Sequence, residues 1–556
     1  MTGPASERAN IASGLTAMAA IRPNALAVLA PAGRDRAGRP RHVHWTFAQL
    51  EQISDWAATG LREKGIKPGT RTVLMVKPGL SFFALTFGLF KVGAIPVLVD
   101  PGLGIKNLGP CLAEAEPEAF VGIPVAQVAR RLLGWAKHSI RISTTIDRRW
   151  PEGWLDWLEL DGIEASDAEG IAPVNAEDTA AILFTSGSTG VPKGAVYTHG
   201  IFQAQVELLR KTYDIQPGEV DLCTFPLFAL FGPILGMTCV VPEMDSTRPG
   251  QVDPRKIIEA IEDFGVTNLF GSPALIRRVG DYGAESQIKL PSLRRVISAG
   301  APVPARVLET FSKLLVDDVQ IFTPYGATES LPVASLGSNE ILGETRHATD
   351  RGEGVCVGRP VEGMRVAIIK IQDEPIPSWS DDLVIRDGSV GEIAVQGPVV
   401  TRSYYRRNEA TALAKIEDPA NGSFWHRMGD LGRLDETGRI WFLGRKSHRV
   451  QTSQGTLFTI ACEGVFNTHP DVARTALVGV TRSGKTKPIL CVETKPTVPV
   501  GDWGRIEAEL LALAKTNPIT REIETFLRHP AFPVDIRHNA KIFREKLAVW
   551  AAKEVH

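Results

Sequence analysis

Residues 181–199 read AILFTSGSTGVPKGAVYTH, in which two apolar segments flank ten residues, 185–194, rich in Gly, Ser and Thr. The apolar segments predict buried β-strands. The loop predicts a phosphate-binding site, because glycines let backbone N–H groups approach an anion, hydroxyls donate hydrogen bonds and Lys193 adds positive charge. The loop residues assigned to phosphate are Thr185, Ser186, Gly187, Ser188, Thr189, Gly190 and Lys193.

Two other interpretations of this loop exist. A Walker loop needs Gly-Lys-Ser/Thr leading into a helix, whereas Lys193 follows Pro192 and leads into an apolar strand. A solvated Ser/Gly hairpin is the structural alternative, since these residues are common in turns. Ten residues are more than such a turn requires, so the phosphate-binding interpretation is favoured.

The composition predicts a globular cytoplasmic protein of at least two domains. A chain of 556 residues with 44% apolar content exceeds one ordinary core. Lys plus Arg number 62 and Asp plus Glu 63, so the net charge does not favour nucleic acid as a partner. Six scattered cysteines without a CxxC pair indicate reduced thiols. We expect no secretory signal at residues 1–20 and no transmembrane segment.

The alternation of strand and helix signals predicts an α/β fold. Residues 73–76, 81–92 and 95–99 read strand, helix, strand, a βαβ unit that implies parallel pairing. Beyond residue 366, alternating segments punctuated by Gly predict a small β subdomain, and after the polar run 444–449 the chain carries the signals of a small α+β domain. Further strands are predicted at 119–122, 266–270, 295–298 and 320–322, with helices at 254–264 and 305–315.

The loop at 185–194 resembles the phosphate-binding signature of the adenylate-forming superfamily, which includes acyl-CoA synthetases, luciferases and peptide-synthetase adenylation domains. The resemblance implies a parallel-rich α/β adenylation domain with a small β subdomain over residues 1–446, holding ATP and an acyl pocket. It also implies a small, mobile α+β lid domain over residues 447–556. In such enzymes the substrate carboxylate attacks the α-phosphate of ATP and pyrophosphate leaves. The resemblance therefore implies ATP and Mg²⁺ as cofactors and Lys193 as a catalytic cation.

The segment 322–330, FTPYGATES, resembles the second signature of that superfamily. It implies that Tyr325 stacks on adenine, that Thr328 contacts the α-phosphate as a catalytic residue and that Glu329 ligates Mg²⁺, since a hard cation prefers oxygen. Taken alone, the segment would be a turn after a strand. By the same resemblance, the backbone around the nucleotide is assigned to Gly300, Ala301, Pro302 and Gly326.

The segment 426–433, HRMGDLGR, resembles the ribose-binding segment of the superfamily. Asp430 would accept hydrogen bonds from both ribose hydroxyls, and Arg445 would assist. Met428 stands where the family usually has Thr, which removes a hydroxyl contact at that position. Without the resemblance, an Asp in an Asp/Gly turn would be structural.

The segment 533–541, PVDIRHNAK, resembles the C-terminal signature whose lysine, here Lys541, bridges the substrate carboxylate and the α-phosphate. Ala540 stands where the family usually has Gly, and a surface cation is the alternative role for Lys541. The resemblance places the domain hinge at Ser447. Gln451 replaces a lysine that CoA ligases often use, which indicates an unusual second half-reaction.

The segment 225–233, FPLFALFGP, falls where the acyl pocket of the family begins. It lacks the Asp that an amino-acid-activating domain would place near Pro226, so a fatty chain is the better fit. An apolar channel selects long chains because each buried methylene contributes about 0.8 kcal/mol. The alternative is that these aromatic rings are core. The residues assigned to the substrate are Phe228, Phe231 and Gly232.

Several segments outside the shared signatures resemble a narrower group, the bacterial olefin-biosynthesis β-lactone synthetases; they lie at 99–108, 113–124, 344–358 and 449–463. The implied substrate is a long-chain 2-alkyl-3-hydroxy acid, whose own 3-hydroxyl attacks the adenylate to give a β-lactone, AMP and pyrophosphate, without CoA. Other enzymes of the olefin pathway are the implied partners. The alternatives are a long-chain acyl-CoA or acyl-AMP ligase and a non-catalytic nucleotide-binding scaffold. The candidate acceptors of the hydroxyl proton, by residue type, are His199, His347 and His448.

Overall fold

The computed structural model describes residues 9–99, 103–146, 170–185, 192–534 and 542–555. Its strands are β1 (Leu26–Arg34), β2 (Pro40–Thr46), β3 (Arg71–Met75), β4 (Ile95–Val99), β5 (Ala119–Gly122), β6 (Ile142–Thr145), β7 (Thr179–Thr185), β8 (Lys193–Thr198), β9 (Val220–Cys223), β10 (Thr238–Val240), β11 (Asn268–Gly271), β12 (Arg295–Ser298), β13 (Gln320–Ala327), β14 (Ser330–Gly337), β15 (Val355–Pro360), β16 (Arg365–Ile369), β17 (Gly391–Gln396), β18 (Lys415–Asp418), β19 (Ser423–Leu434), β20 (Ile440–Arg445), β21 (Val450–Gln451), β22 (Thr456–Leu457), β23 (Val472–Arg482), β24 (Lys485–Thr494) and β25 (Thr525–Arg528).

Helices cover the sheets. They are α1 (Ser13–Ile21), α2 (Phe47–Glu63), α3 (Leu80–Val92), α4 (Ile105–Ala115), α5 (Pro124–Leu133), α6 (His199–Tyr213), α7 (Pro226–Ala229), α8 (Phe231–Leu235), α9 (Pro254–Phe264), α10 (Pro273–Glu285), α11 (Ala305–Ser312), α12 (Ser338–Glu340), α13 (Arg346–Asp350), α14 (Asn408–Ala414), α15 (Thr459–Phe466), α16 (Trp503–Thr516) and α17 (Arg544–Glu554). A π-helical turn, Ile341–Thr345, joins α12 to α13, and short 3₁₀ turns lie at Pro249–Gln251, Asp381–Leu383, Lys446–His448 and Val500–Asp502.

A six-stranded sheet in the order β6-β5-β3-β4-β7-β8 carries the predicted βαβ unit. Its neighbours are parallel except for the antiparallel pair β7–β8. The helix of that unit, α3, is apolar on nearly every side and almost wholly buried. Its single cation, Lys91, is 2% exposed and pairs with Glu51 at 2.9 Å and Asp55 at 2.6 Å, which explains how a lysine is accommodated against α2.

A fourteen-stranded sheet forms the second centre of the fold. Strands β10, β9, β11, β12 and β13 pair in parallel, whereas β14 to β20 pair antiparallel. The predicted α/β class with a small β subdomain is therefore confirmed. The subdomain is not a separate sheet, however, because β14 pairs with β15 and continues the hydrogen bonding from the parallel part.

The part of the chain after β20 has its own α+β structure. The 3₁₀ turn Lys446–His448 follows β20 directly, and strands β23, β24 and β25 form a three-stranded sheet with α15, α16 and α17 packed around it. The Asn517 side chain donates to the carbonyl of Arg351 at 2.8 Å and so joins this part to the rest. The boundary at 446/447 and the mobility of residues 447–556 stay predictions.

Local sequence signals explain the helix termini better than the strand lengths. In the sequence, Thr46 stands before an amphipathic pattern that continues to Leu61, which makes it the predicted N-cap of that helix. Thr46 Oγ1 accepts from the Gln49 backbone N–H, and the Gln49 side chain accepts from the Thr46 N–H, which makes a capping box for α2. Strand β2 was absent from the prediction, and β13 extends beyond the predicted 320–322.

None of the helices in the described ranges combines the length and apolar character needed to cross a bilayer. The six cysteines are buried free thiols.

Candidate active site

The strands that flank the phosphate loop form an antiparallel pair, with Thr185 opposite Lys193. This register brings the two ends of the loop together at the end of β7. Residues 186–191 lie outside the described residues, so the contacts predicted for five of the assigned loop residues, Ser186, Gly187, Ser188, Thr189 and Gly190, stay predictions.

A segment that sequence reasoning missed, residues 400–405, joins this loop to the second signature. On one side the Tyr405 N–H donates to the carbonyl of Gly194 at 2.7 Å, and Tyr404 forms a β-bridge with Ala195. On the other side the Thr401 N–H donates to the Glu329 carbonyl at 2.9 Å. The segment carried no recognisable motif, since its role arises from backbone pairing with two distant strands.

Three side chains from these elements meet at one point. The Tyr404 hydroxyl donates to Glu329 Oε1 at 2.6 Å. The Lys193 ammonium lies 5.0 Å from the centre of the Tyr404 ring, within cation–π range. The predicted metal ligand and the predicted phosphate cation are therefore held by one buried tyrosine. Thr328 is adjacent, and its carbonyl accepts from the hydroxyl of Tyr197.

Glu329 fits a Mg²⁺ site as a single carboxylate ligand. Within the described ranges, no group of three or more His, Cys, Asp or Glu side chains is placed to share a metal ion. Mg²⁺ does not require such a group, because it usually binds one or two carboxylates, substrate phosphates and waters. A lone carboxylate beside a phosphate-binding loop has the donor chemistry of that arrangement.

The predicted ribose anchor, Asp430, lies in a buried polar cluster. The Tyr325 hydroxyl donates to Asp430 Oδ2 at 2.7 Å, and Arg445 lies 3.0 Å from Oδ1, since β19 and β20 pair Asp430 with Arg445. Gly429 precedes it with φ of 66°, a left-handed conformation that residues with a Cβ rarely adopt. Burial raises the pKa of Asp430, and the Arg445 charge opposes that rise. Burial also raises the pKa of Tyr325, which keeps its hydroxyl a donor.

A cavity of about 590 Å³ links the nucleotide signatures to apolar side chains. Of the predicted nucleotide residues, it is lined by Lys193, Gly300, Gly326, Thr328, Glu329 and Arg445. Asp430, Tyr325, Ala301 and Pro302 do not line it, and Tyr325 is 9% exposed with its ring 6.3 Å from that of Phe442. Stacking of Tyr325 on adenine therefore stays a prediction.

The apolar end of the cavity is a cluster of aromatic rings. Phe228 stacks on Phe270 at 4.3 Å between ring centres, and Phe231 lies 6.1 Å from Phe228 and 6.2 Å from Phe202. Phe228 and Phe231 line the cavity, and their contact with a substrate stays a prediction. Gly232 does not, because its α-carbon faces Cys239: an added Cβ would lie 2.3 Å from that sulfur.

Two buried ionisable residues near the site were missed by sequence reasoning. Lys415 donates to the carbonyl of Thr401, and burial lowers its pKa to about 7. His426 lines the cavity, its Nδ1 lies 3.1 Å from the carbonyl of Ala414, and burial lowers its pKa. Lys415 has no sequence signal beyond its residue type, and His426 begins the segment that resembles the ribose-binding signature but was assigned no role there. Both stand on the antiparallel pair β18–β19, directly opposite each other.

The three histidines proposed as proton acceptors lie away from the lining of the cavity. His199 is 1% exposed, and its Nδ1 accepts from the Ile11 N–H at 3.2 Å, so that nitrogen is already engaged. His347 is exposed on α13. His448 lies in the 3₁₀ turn after β20. None of the three lines the cavity.

Lys541 lies outside the described residues, so its role stays a prediction. The described residues on either side of it pair with each other: Val534 forms an antiparallel bridge with Ile542, and the Phe543 N–H donates to the Pro533 carbonyl at 2.9 Å. A buried ion pair of 2.6 Å between Arg544 and Glu463 fixes the start of α17.

Comparison with known proteins agrees with this geometry. Residues 16–405 match the family described as AMP-binding enzyme. The chain is 51% identical over 550 residues to an olefin β-lactone synthetase of Xanthomonas campestris pv. campestris, and 50% identical over 552 residues to one of Stenotrophomonas maltophilia, with 98% of both chains covered in each case. Its fold is similar to that of ATP-bound MatB from Rhodopseudomonas palustris, with a TM-score of 0.78, 20% identity and coverage of 99% and 100% of the two chains. With a family match over most of its length and relatives that share half of its residues, the chain belongs to the AMP-binding enzyme family of adenylate-forming ligases.

Proposed function

We propose that the chain uses ATP to adenylate a long-chain 2-alkyl-3-hydroxyalkanoic acid and closes the adenylate to a β-lactone, releasing AMP and pyrophosphate. The observation that carries the proposal is 51% identity over nearly the whole chain to an olefin β-lactone synthetase. The cavity supports it, since aromatic rings line its apolar end, and Glu392, a buried carboxylate elsewhere in its lining, already pairs with Arg427 and Lys446.

The first step is attack of the substrate carboxylate on the α-phosphorus, with pyrophosphate leaving. We assign Asp430 and Arg445 to the ribose, the turn at Gly300 and Gly326 to the adenine pocket, and Thr328 to the α-phosphate. Lys193, with loop residues 185–190, would hold the other phosphates. Mg²⁺, held by Glu329, would neutralise charge on the departing pyrophosphate.

Lys541 would stabilise the charge that develops between the carboxylate and the α-phosphate. A preorganised donor at that position contributes on the order of 10²-fold to the rate. Its assignment rests on the resemblance of the segment 533–541 to the C-terminal signature. Rotation of residues 447–556 about Ser447 would deliver it to the cavity.

In the second step the 3-hydroxyl oxygen attacks the acyl carbon and loses its proton while the bond to AMP breaks, so the products are the four-membered lactone, AMP and one proton. The nucleophile is already part of the bound molecule, so it attacks at a high effective molarity. Loss of AMP offsets the ring strain. Gln451, in place of the lysine that CoA ligases often use, agrees with a step that needs no CoA.

The substrate would lie with its alkyl chains against the rings of Phe228 and Phe231, with Gly232 behind them. Such a pocket selects by buried apolar area, about 0.8 kcal/mol for each methylene. A cytoplasmic location and association with other enzymes of olefin biosynthesis belong to the same proposal. The buried, unpaired thiols support the location.

The product identifies the function. The chain is incubated with ATP, Mg²⁺ and a long-chain 2-alkyl-3-hydroxy acid, with and without CoA, and the product is examined by NMR and mass spectrometry. We expect a β-lactone and stoichiometric AMP in both arms. The matched acid without its 3-hydroxyl should be adenylated but give no ring. A thioester that forms only with CoA would make the chain an acyl-CoA ligase, and absence of pyrophosphate release would leave the scaffold alternative.

A further inference from the structure

We propose that Tyr404 is a positioning residue that holds the Glu329 carboxylate and the Lys193 ammonium in one fixed geometry, so that the metal ligand and the phosphate cation are preorganised together. The inference rests on the proposed use of a nucleotide with Mg²⁺. It concerns neither the acid nor the product.

The tyrosine contacts the two residues through different parts of its side chain, the hydroxyl and the face of the ring. Its hydroxyl donates to Glu329 Oε1 at 2.6 Å, which leaves the second carboxylate oxygen for another partner. The face of its ring lies 5.0 Å from the Lys193 ammonium. The hydroxyl thus orients the carboxylate, while the ring restrains a flexible cation that would otherwise lose side-chain entropy when it binds an anion.

The tyrosine is itself fixed by its surroundings. It is 7% exposed, its backbone N–H donates to Thr411 Oγ1 at 3.0 Å, and it bridges Ala195 of β8. Backbone pairing also holds the two strands it connects, since the Thr401 N–H donates to the Glu329 carbonyl at 2.9 Å. Because the tyrosine side chain is held in one position, it restricts the positions of the two groups that it contacts, the Glu329 carboxylate and the Lys193 ammonium.

The geometry predicts that the two contacts can be separated by substitution. Tyr404→Phe keeps the ring beside Lys193 and removes the hydrogen bond to Glu329. Tyr404→Leu removes both contacts. The control is Tyr405→Phe, because the neighbouring tyrosine contacts Arg406 rather than this pair of residues.

Two binding measurements test the proposal without turnover. Mn²⁺ binding to the complex of the chain with ATP, in the absence of an acid, is followed by the loss of the free-ion EPR signal. ATP binding in excess EDTA is followed by calorimetry. We expect Tyr404→Phe to weaken Mn²⁺ binding about 10-fold or more, as the loss of a hydrogen bond to a metal ligand does, and to leave metal-free ATP binding unchanged.

Tyr404→Leu should weaken Mn²⁺ binding to the same degree and also weaken metal-free ATP binding about threefold, through the lost contact with Lys193. Unchanged Mn²⁺ binding in Tyr404→Phe would overturn the proposal, as would an equal loss in Tyr405→Phe. Thermal unfolding of each variant identifies a global loss of structure, and Tyr404→Phe keeps the test decisive if Tyr404→Leu fails to fold. A thioester product in the experiment on function would contradict the proposed lactone formation. It would not affect the Mn²⁺ and ATP binding measurements on the Tyr404 variants.

Discussion

At the scale of single residues, the site depends on polar groups that are buried together. Asp430 receives a hydrogen bond from Tyr325 and lies 3.0 Å from Arg445, so its carboxylate is oriented before any nucleotide binds. In the proposed function, a carboxylate held this way would accept ribose hydroxyls without a reorganisation cost. The side chain of Arg445 is 33% exposed, so solvent screens part of the attraction and orientation matters more than raw charge.

Substitution Asp430→Asn should weaken AMP binding by about 10-fold or more, because a neutral amide loses the charge attraction to Arg445 and keeps one acceptor oxygen for Tyr325 and ribose together. Hydrogen bonds to charged groups contribute about 1.5–3 kcal/mol. Calorimetric titration with AMP measures the change. The control is Asp281→Asn, an exposed position on α10. Equal affinity in the Asp430 variant and the control would remove Asp430 from the nucleotide site.

His199 makes the free energy of unfolding of the chain depend on pH in the acidic range. Burial lowers its pKa to about 4 from 6.5, and its Nδ1 already accepts from the Ile11 N–H. The unfolded chain therefore takes up this proton first as pH falls. Stability from this group is fully present above about pH 6.5, is lost between pH 6.5 and 4 and changes no further below that.

In His199→Gln, the loss of unfolding free energy between pH 7 and 4 should be smaller than in the parent chain by up to about 3 kcal/mol. Urea unfolding followed by fluorescence at a series of pH values measures it. His347→Gln, at an exposed ring, is the matched control. Parallel pH profiles for the parent and His199→Gln would contradict the assignment.

At the scale of secondary-structure elements, helix α2 shows how a local sequence signal sets a boundary. Thr46 and Gln49 satisfy each other's backbone N–H groups at its first turn. The buried side of α2 packs on α3, where an added Cβ at Gly88 would lie 2.9 Å from that of Ala57. The cap fixes where the helix begins, and close packing against α3 fixes which face is buried.

Thr46→Ala should lower the free energy of unfolding by about 1 kcal/mol, the usual contribution of an N-cap. Thr46→Ser keeps a hydroxyl acceptor and should restore most of it. Native-state hydrogen exchange at the first turn of α2 gives the local value. If the amide hydrogens of this turn exchange equally fast in Thr46→Ala and Thr46→Ser, the capping box does not stabilise the helix.

At the scale of the whole molecule, the cavity is built by both large sheets. Leu98 of β4 belongs to the six-stranded sheet, whereas Phe270 of β11 belongs to the fourteen-stranded sheet, and both line the cavity. Phe202 of α6 lies between the two walls, 5.9 Å from Phe90 and 6.2 Å from Phe231. The size of the cavity is therefore a property of how the sheets are packed.

Leu98→Trp and Phe231→Trp should each narrow the cavity, from opposite walls, and shorten the preferred acid. Excluding about four methylenes costs about 3 kcal/mol, on the order of 100-fold in kcat/KM for the longest acids, with short acids little affected. Pyrophosphate release across a chain-length series measures this. Val549→Trp, at a position 62% exposed, is the control. A uniform loss over all lengths would mean that these positions are core and do not contact substrate.

The family, the α/β class and the cap of α2 followed from local sequence, because glycine-rich loops, apolar periodicity and capping residues act over a few neighbouring positions. Strands β4, β5 and β12 and helix α9 begin and end at the predicted residues for the same reason. Strand β2 was missed, since its exposed residues form a strand through pairing with β1. The merging of the predicted β subdomain into one sheet likewise depends on the distant pair β14–β15.

The site divides in the same way. The signature motifs predicted Lys193, Glu329, Asp430 and Arg445 as site residues, because each lies in or beside a short segment that resembles a superfamily signature. Sequence could not name Tyr404, Lys415 or His426, whose positions come from pairing of residues 400–405 with two strands and of β18 with β19. Backbone hydrogen bonds between remote segments decide such contacts, and remote pairing leaves no mark on the residues next to it in the chain.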